Sequence, residues 1–97
     1  MTREETILFE FIEDLLCYEW DPLGANGGAA GDQYQSYVPE LFNLAVGNAT
    51  AEQIAGRLRS IETETLGAKG DFEKCKRVAR IIVQKKQVLL GGPSGTP

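Results

Sequence analysis

The sequence predicts an all-α protein, folded as a four-helix bundle-like single domain. Apolar residues recur at three- and four-residue spacing in four separate stretches, and helix-capping residues precede three of them. No stretch alternates apolar and polar residues as a competing strand would. The 97 residues suffice for one modest core. We therefore expect one domain over residues 1–90 and a disordered tail over residues 91–97.

The first helix is predicted from Arg3 to Glu19. Thr2 precedes it, and Glu5 stands three residues later, which is the spacing of a capping box. One face is apolar, formed by Ile7, Leu8, Phe11, Ile12, Leu15 and Leu16. The other face is acidic, formed by Glu4, Glu10, Glu13, Asp14 and Glu19. This helix is therefore expected to lie against the core with a strongly negative outer surface.

A glycine-rich loop is predicted between the first two helices. Pro22 fixes its own backbone and disfavours a helical Asp21, so the first helix should end near Trp20. Four glycines then follow within about ten residues, a connection longer than is usual in small helical domains. We predict a mobile tip, with Trp20 and Tyr34 fixing the base of the loop. An ordered cradle for a ligand is the alternative.

The second helix should begin at Asp32 or Ser36 and hold Pro39 within its first turn, where the missing amide proton costs nothing. Val38, Leu41, Phe42, Ala45 and Val46 form its apolar stripe. Gly47 and Asn48 then stand at the position favoured for a left-handed C-terminal cap.

The third and fourth helices also have recognisable ends. Thr50 and Gln53 match a capping box for the third, and the region of Gly67 and Gly70 should close it. Asp71 is expected to cap a fourth helix that runs to Leu90. Its outer sides are predicted to carry the basic residues Lys74, Lys76, Arg77, Arg80, Lys85 and Lys86.

Charge is distributed unevenly along the chain. Residues 1–56 hold one basic and ten acidic side chains, and residues 57–97 hold nine basic and four acidic ones. We favour an intramolecular explanation, in which the acidic first helix lies beside the basic last helix. The alternative gives each half a partner, with a basic protein on the acidic helix or nucleic acid on the basic helix.

Several function classes find little support. Nucleic-acid binding is not predicted, because the chain is acidic overall and has no recognised reading motif. The chain has no histidine, and its glycine-rich stretch lacks the spacing of a phosphate-binding loop. Asp21, Asn26 and Asp32 do not have the spacing of the common calcium loop, so neither a metal nor another cofactor is predicted.

Localisation and redox state follow from composition. The N-terminus does not resemble a signal peptide, and no apolar run is long enough to span a bilayer, so we expect a soluble, cytoplasmic protein with no membrane partner. Cys17 and Cys75 are expected to be reduced and to behave as small hydrophobic residues, with a disulfide as the alternative.

Glu62 stands at the margin of an apolar stripe. We predict that it accepts hydrogen bonds from the Trp20 or Tyr37 side of the loop. Glu62 and Glu64 point in different directions on a helix, so they do not form a shared acid–base site.

Three segments together resemble a group of small bacterial helical proteins of the DUF1871-like kind. They are Trp20-Asp21-Pro22-Leu23-Gly24, Asp32-Gln33-Tyr34-Gln35-Ser36-Tyr37 with Pro39, and Ile61-Glu62-Thr63-Glu64 with Leu66-Gly67. Gln33 and Gln35 stand where that group usually has acids, and the loop is longer here. The resemblance implies a helical fold, and some small acidic helical proteins of this sort neutralise toxins.

The predicted function is that of a non-enzymatic protein–protein interaction module, with a separate protein or a second copy of the chain as partner. Trp20, Asp21, Tyr34 and Tyr37 are the predicted partner-binding residues, since aromatic residues beside carboxylates suit recognition. A structural role, in which Trp20 and Tyr37 close the end of the bundle, is the favoured alternative for the same residues. Two further alternatives are an immunity-type inhibitor of a basic toxin or nuclease, and a small-molecule or metal-dependent enzyme using Asp21, Asp32 and Glu62.

Overall fold

The computed structural model describes residues 1–21 and 34–91. These residues form four α-helices and no strand: α1 (Arg3–Leu15), α2 (Val38–Val46), α3 (Ala51–Ser60) and α4 (Phe72–Leu90). The predicted all-α, bundle-like fold is therefore confirmed. The predicted loop tip and its glycines, Asp32, and the tail from residue 92 onward lie outside the described residues.

Two of the helices end in a wider turn than the α-helix allows. A π-helical turn, Leu16–Trp20, follows α1, and a second one, Ile61–Thr65, follows α3. The first helix was predicted to run to Glu19 and to end near Trp20, and the helical conformation does extend to Trp20. The π-helical form of its last turn was not predicted. Because a π-turn inserts one extra residue, it brings a different side chain to the inner face than helical spacing predicts.

The predicted helix caps are confirmed where they depend on local sequence. Thr2 and Thr50 each form a complete capping box, with Glu5 and with Gln53. Asp71 accepts the amide proton of Lys74 at the start of α4. Asn48 takes the left-handed conformation after α2, with φ 68°. Ser36 does not begin α2, because the residue before it is Tyr37, and Pro39 lies in its first turn. A start at Asp32 lies outside the described residues.

The core lies between all four helices. The longest helix, α4, contacts each of the other three, and α1 also packs against α2. All four helices and the π-turn after α1 contribute fully buried apolar side chains, among them Leu8, Ile12, Leu16, Leu41, Ile54, Leu58, Val78 and Ile82. This burial is the main source of stability, since short isolated helices are marginal in water.

The helices of residues 1–21 and 34–91 include none that combines the length and the apolar character required to cross a membrane. Neither Cys17 nor Cys75 forms a disulfide, as expected.

Candidate functional site

Trp20 is fully buried at the end of the π-turn that follows α1. The inward positions Leu8, Ile12 and Leu15 would place residue 19, a glutamate, on the inner face if the α-helix continued. The extra residue of the π-turn leaves Glu19 exposed and carries Trp20 into the core. The π-turn therefore allows Trp20, and not Glu19, to occupy the buried position.

Trp20 contacts the ring of Tyr34, and Tyr34 is in turn hydrogen-bonded to Asp21. The rings of Trp20 and Tyr34 lie 5.5 Å apart between centroids, tilted by 57°. The hydroxyl of the buried Tyr34 donates to Oδ1 of Asp21 over 2.8 Å. Asp21 has a positive φ of 31°, a backbone conformation that side-chain-bearing residues usually avoid. The loop base is thus joined to the end of α1 by a ring contact and a hydrogen bond.

The four predicted partner-binding residues occupy different environments. Trp20 and Tyr34 have no exposed surface, Asp21 is half-buried, and Tyr37 is half-buried against the core. In this conformation, Trp20 and Tyr34 therefore present no side-chain surface to a partner. Direct contact of Trp20 or Tyr34 with a partner protein remains a prediction. It would require this end of the bundle to open.

Glu62 is buried in the second π-turn, and its partner differs from the predicted one. Its Oε2 accepts the backbone N–H of Asp71 over 2.5 Å. It accepts no hydrogen bond from Trp20 or Tyr37 among the described residues, so that prediction is wrong. The carboxylate instead fixes the residue that caps α4, and a carboxylate accepting a backbone amide is a strong hydrogen bond.

The connection between α3 and α4 closes tightly over Glu62. Gly70 has a φ of 89°, and a side chain there would come within 2.7 Å of Thr63 Cγ2 and 3.6 Å of Glu62 Oε2. Glycine is the residue that tolerates both this backbone conformation and this close approach.

The thiol of Cys75 lies against the same carboxylate, with Sγ 3.9 Å from Glu62 Oε2. Burial, together with the negative charge of Glu62, raises the pKa of Cys75 to about 11 from 9.0. The Trp20 indole N–H approaches the sulfur and acts in the opposite direction. Its geometry is not that of a regular hydrogen bond, so the buried N–H has no partner among the described residues. A thiol with so high a pKa is protonated at neutral pH and is a poor nucleophile.

The carboxylates of the alternative enzyme site are not assembled in the described part of the chain. Asp21 is bound to the Tyr34 hydroxyl and Glu62 to the Asp71 amide, and Asp32 lies outside the described residues. Within residues 1–21 and 34–91, no group of three histidine, cysteine, aspartate or glutamate side chains is placed to hold a metal ion.

Sequence analysis missed an exposed aromatic residue on the outer side of α1. Tyr18 is 65% exposed, although it lies in the same π-turn as the buried Trp20. It borders a shallow cavity of about 210 Å³ on the molecular surface. Phe11, Asp14, Leu15, Tyr18 and Glu19 line this cavity. Helical spacing alone indicates that Tyr18 follows Asp14 on the outer face, but not that the π-turn would preserve this position.

No protein family and no solved structure matches the chain. A curated relative from Oryza sativa subsp. japonica, the chloroplastic ATP-dependent zinc metalloprotease FTSH 1, is 34% identical over 70 residues. That match covers 65% of this chain and 10% of the relative, so the chain spans about a tenth of the relative's length. The activity in that name belongs to the relative as a whole, of which this chain matches a tenth.

Proposed function

We propose that this protein is a small helical interaction module that binds a basic segment of a partner protein on the outer face of α1. We define this binding surface as Ile7, Glu10, Asp14, Tyr18 and Glu19. The observation that carries the proposal is the exposure of Tyr18 beside the carboxylates of Asp14 and Glu19 at the rim of a shallow cavity. Tyrosine is one of the side chains that most often dominates binding energy at protein interfaces.

The geometry of the binding surface suits an extended or helical partner. Ile7, Glu10, Asp14 and Tyr18 follow one another at three- or four-residue spacing, so they form a single stripe along α1 and its π-turn. Ile7 is 38% exposed, which gives the stripe a second apolar contact at the end opposite Tyr18.

Charge favours a basic partner. Glu10, Asp14 and Glu19 are exposed, and none of them forms an ion pair with another described residue. Phe11, which lines the same cavity as Tyr18, already has a cation on its ring: Lys85 Nζ lies 5.0 Å from the ring centroid. A lysine or arginine of the partner would have similar cation–π and carboxylate contacts available near Tyr18.

In our proposal, the role of three of the predicted residues is to stabilise this surface from the core side. They are Trp20, Asp21 and Tyr34. Trp20 anchors the π-turn in the core, and the Asp21–Tyr34 hydrogen bond ties the loop base to it. Tyr37, which is half-buried, remains the candidate among the four for direct contact with the partner.

An immunity-type inhibitor of a basic toxin or nuclease is the second candidate. The same exposed acidic face supports it, because such inhibitors need acidic side chains that can cover a basic site. The two candidates differ in their consequence, since an inhibitor abolishes the activity of the protein that it binds.

Photo-crosslinking tests the proposal. A photoreactive amino acid replaces Tyr18 in the full chain, and the control replaces Phe72, which is 41% exposed at the start of α4. We expect position 18, and not position 72, to form an adduct with a basic protein. An adduct between two copies of this chain would contradict a basic partner and indicate a homodimer.

The captured partner, once purified, allows the surface itself to be tested. Tyr18→Ala should weaken binding about 30-fold, since an interface tyrosine commonly contributes about 2 kcal/mol. Phe72→Ala should leave the affinity unchanged, and added salt should weaken binding steeply. Equal affinities for the Tyr18→Ala and unmodified proteins would rule out this surface.

A further inference from the structure

A second cavity lies where the end of α2, the start of α3 and the middle of α4 meet. Its volume is about 190 Å³, and it is lined by small and polar side chains, including Ala45, Asn48, Thr50, Val83 and Lys86. A water molecule occupies about 30 Å³ of liquid, so the cavity holds a ligand of only a few heavy atoms.

Lys86 is the unusual member of this cavity. It was predicted to lie on the outer basic side of the last helix, but the structure leaves only 8% of it exposed. Its Nζ donates to Oδ1 of Asn48 over 2.7 Å. No other hydrogen bond and no ion pair to Lys86 occurs among residues 1–21 and 34–91. A buried ammonium without an opposite charge is costly, and it leaves two N–H groups without a protein acceptor.

The surrounding backbone does not supply that opposite charge. At the end of α2, the carbonyls of Asn43, Leu44 and Ala45 already accept the amides of Gly47, Ala49 and Asn48. These carbonyls therefore do not need the Lys86 ammonium as a hydrogen-bond donor.

The start of α3 adjoins the cavity through its N-cap residue, Thr50. The capping box satisfies the amides of Thr50 and Gln53, and the two amides between them belong to the first turn, where a helix supplies no acceptor. A helix N-terminus carries a partial positive charge that favours anions. Glu52 is the one acidic side chain in that turn, and it is exposed.

We propose that this cavity binds a small oxyanion, a phosphate or carboxylate group, through the Lys86 ammonium. Asn48, which already holds the ammonium, and the first turn of α3 would complete the site. The proposal is independent of the α1 binding surface, because it rests on other residues and on the opposite sign of charge.

Nuclear magnetic resonance titration of the full chain tests the proposal. Sodium phosphate and sodium acetate are the two probes, each at constant ionic strength with sodium chloride as reference. We expect saturable amide shifts confined to residues 48–53 and 83–87. Saturation by phosphate alone or by acetate alone identifies which oxyanion the site selects. The absence of saturable shifts with both probes would overturn the proposal.

Variants connect the binding to Lys86. Lys86→Met keeps the length of the side chain and should weaken binding at least about tenfold, the loss expected for a charge-assisted hydrogen bond. Arg80→Met removes one charge from an exposed position of the same helix and should leave the affinity unchanged. Equal effects of the two variants would refute a specific role for Lys86.

A further variant covers the case in which Lys86→Met does not fold, as judged by circular dichroism. Ala49→Leu narrows the cavity, which Ala49 lines, and leaves Lys86 in place. It should abolish the saturable shifts. Unchanged binding by a folded Ala49→Leu protein would overturn the proposal.

Discussion

The Glu62 carboxylate and the Cys75 thiol lie side by side in the core, with Oε2 3.9 Å from Sγ. The Glu62 carboxylate has a strong partner in the Asp71 amide, whereas the Cys75 thiol depends on remaining protonated. The proximity of a negative charge makes a thiolate at Cys75 unfavourable, in addition to the effect of burial. The Cys75 thiol consequently belongs to the scaffold, and its titration affects the protein only at high pH.

Stability should fall at alkaline pH because of Cys75. Its pKa of about 11 in the folded protein lies above the ordinary value of 9.0. The unfolded chain therefore releases this proton first, and the stabilising contribution is complete below pH 9 and lost as the pH rises towards 11. The loss should be about 2 kcal/mol.

Urea unfolding at several pH values between 8 and 11 measures this loss. Cys75→Ala should be less stable at every pH, and its stability should fall less between pH 9 and 11 than that of the unmodified protein. Parallel pH profiles for the two proteins would show that other groups cause the alkaline loss.

At the scale of elements, the helix ends were predictable where one residue acts on a near neighbour. The caps at Thr2, Thr50 and Asp71 join residues three apart, so spacing in the sequence identifies them. The π-turns were not predictable in this way, because they depend on which side chain the core accepts. The bond between Glu62 and Asp71 and the burial of Lys86 likewise depend on how elements pack.

The candidate sites were also predictable only in part. The sequence indicated an acidic outer face on the first helix and an aromatic cluster at the loop base, and both are present in the structure. A Trp20 that closes the end of the bundle was the favoured structural alternative, and Trp20 does lie in the core. The sequence did not indicate the π-turn, whose extra residue brings Trp20 inside while Tyr18 stays exposed.

The connection from α3 to α4 should be sensitive to any side chain at its last glycine. Gly70→Ala places a methyl group 2.7 Å from Thr63 Cγ2 at a positive φ, and should cost about 1–3 kcal/mol. Gly56→Ala is the matched control, because it lies within α3 with no atom within 4 Å of the added carbon.

Urea midpoints distinguish these two variants. Gly56→Ala should stabilise the protein by up to about 1 kcal/mol, since alanine is favoured over glycine inside a helix. If both variants shifted the midpoint in the same direction by the same amount, the tight closure over Glu62 would not matter for stability.

At the scale of the whole molecule, the uneven charge does not lead to direct pairing between the first and last helices. α1 and α4 are in contact, but no ion pair joins them in the described part of the chain. The ion pairs that do form are Glu40 with Arg57, between α2 and α3, and Glu73 with Lys76, within α4. The intramolecular explanation is thus limited to a diffuse attraction, which leaves the acids of α1 available to a partner.

Stability should consequently depend little on salt. Both ion pairs are solvent-exposed, and such pairs typically contribute less than about 1 kcal/mol each. Thermal unfolding in about 0.05 M and 0.5 M sodium chloride, where screening differs strongly, should give Tm values within a few degrees. A large fall in Tm at high salt would indicate that charge attraction holds the helices together.

The burial of Trp20 has an optical consequence. It is the single tryptophan of the chain, and its indole ring lies in the core near the Cys75 sulfur. An indole shielded from water emits at shorter wavelength, and a nearby thiol quenches that emission. The protein therefore contains its own fluorescent probe, two residues from Tyr18, whose emission should brighten and shift to longer wavelength when this end of the bundle opens.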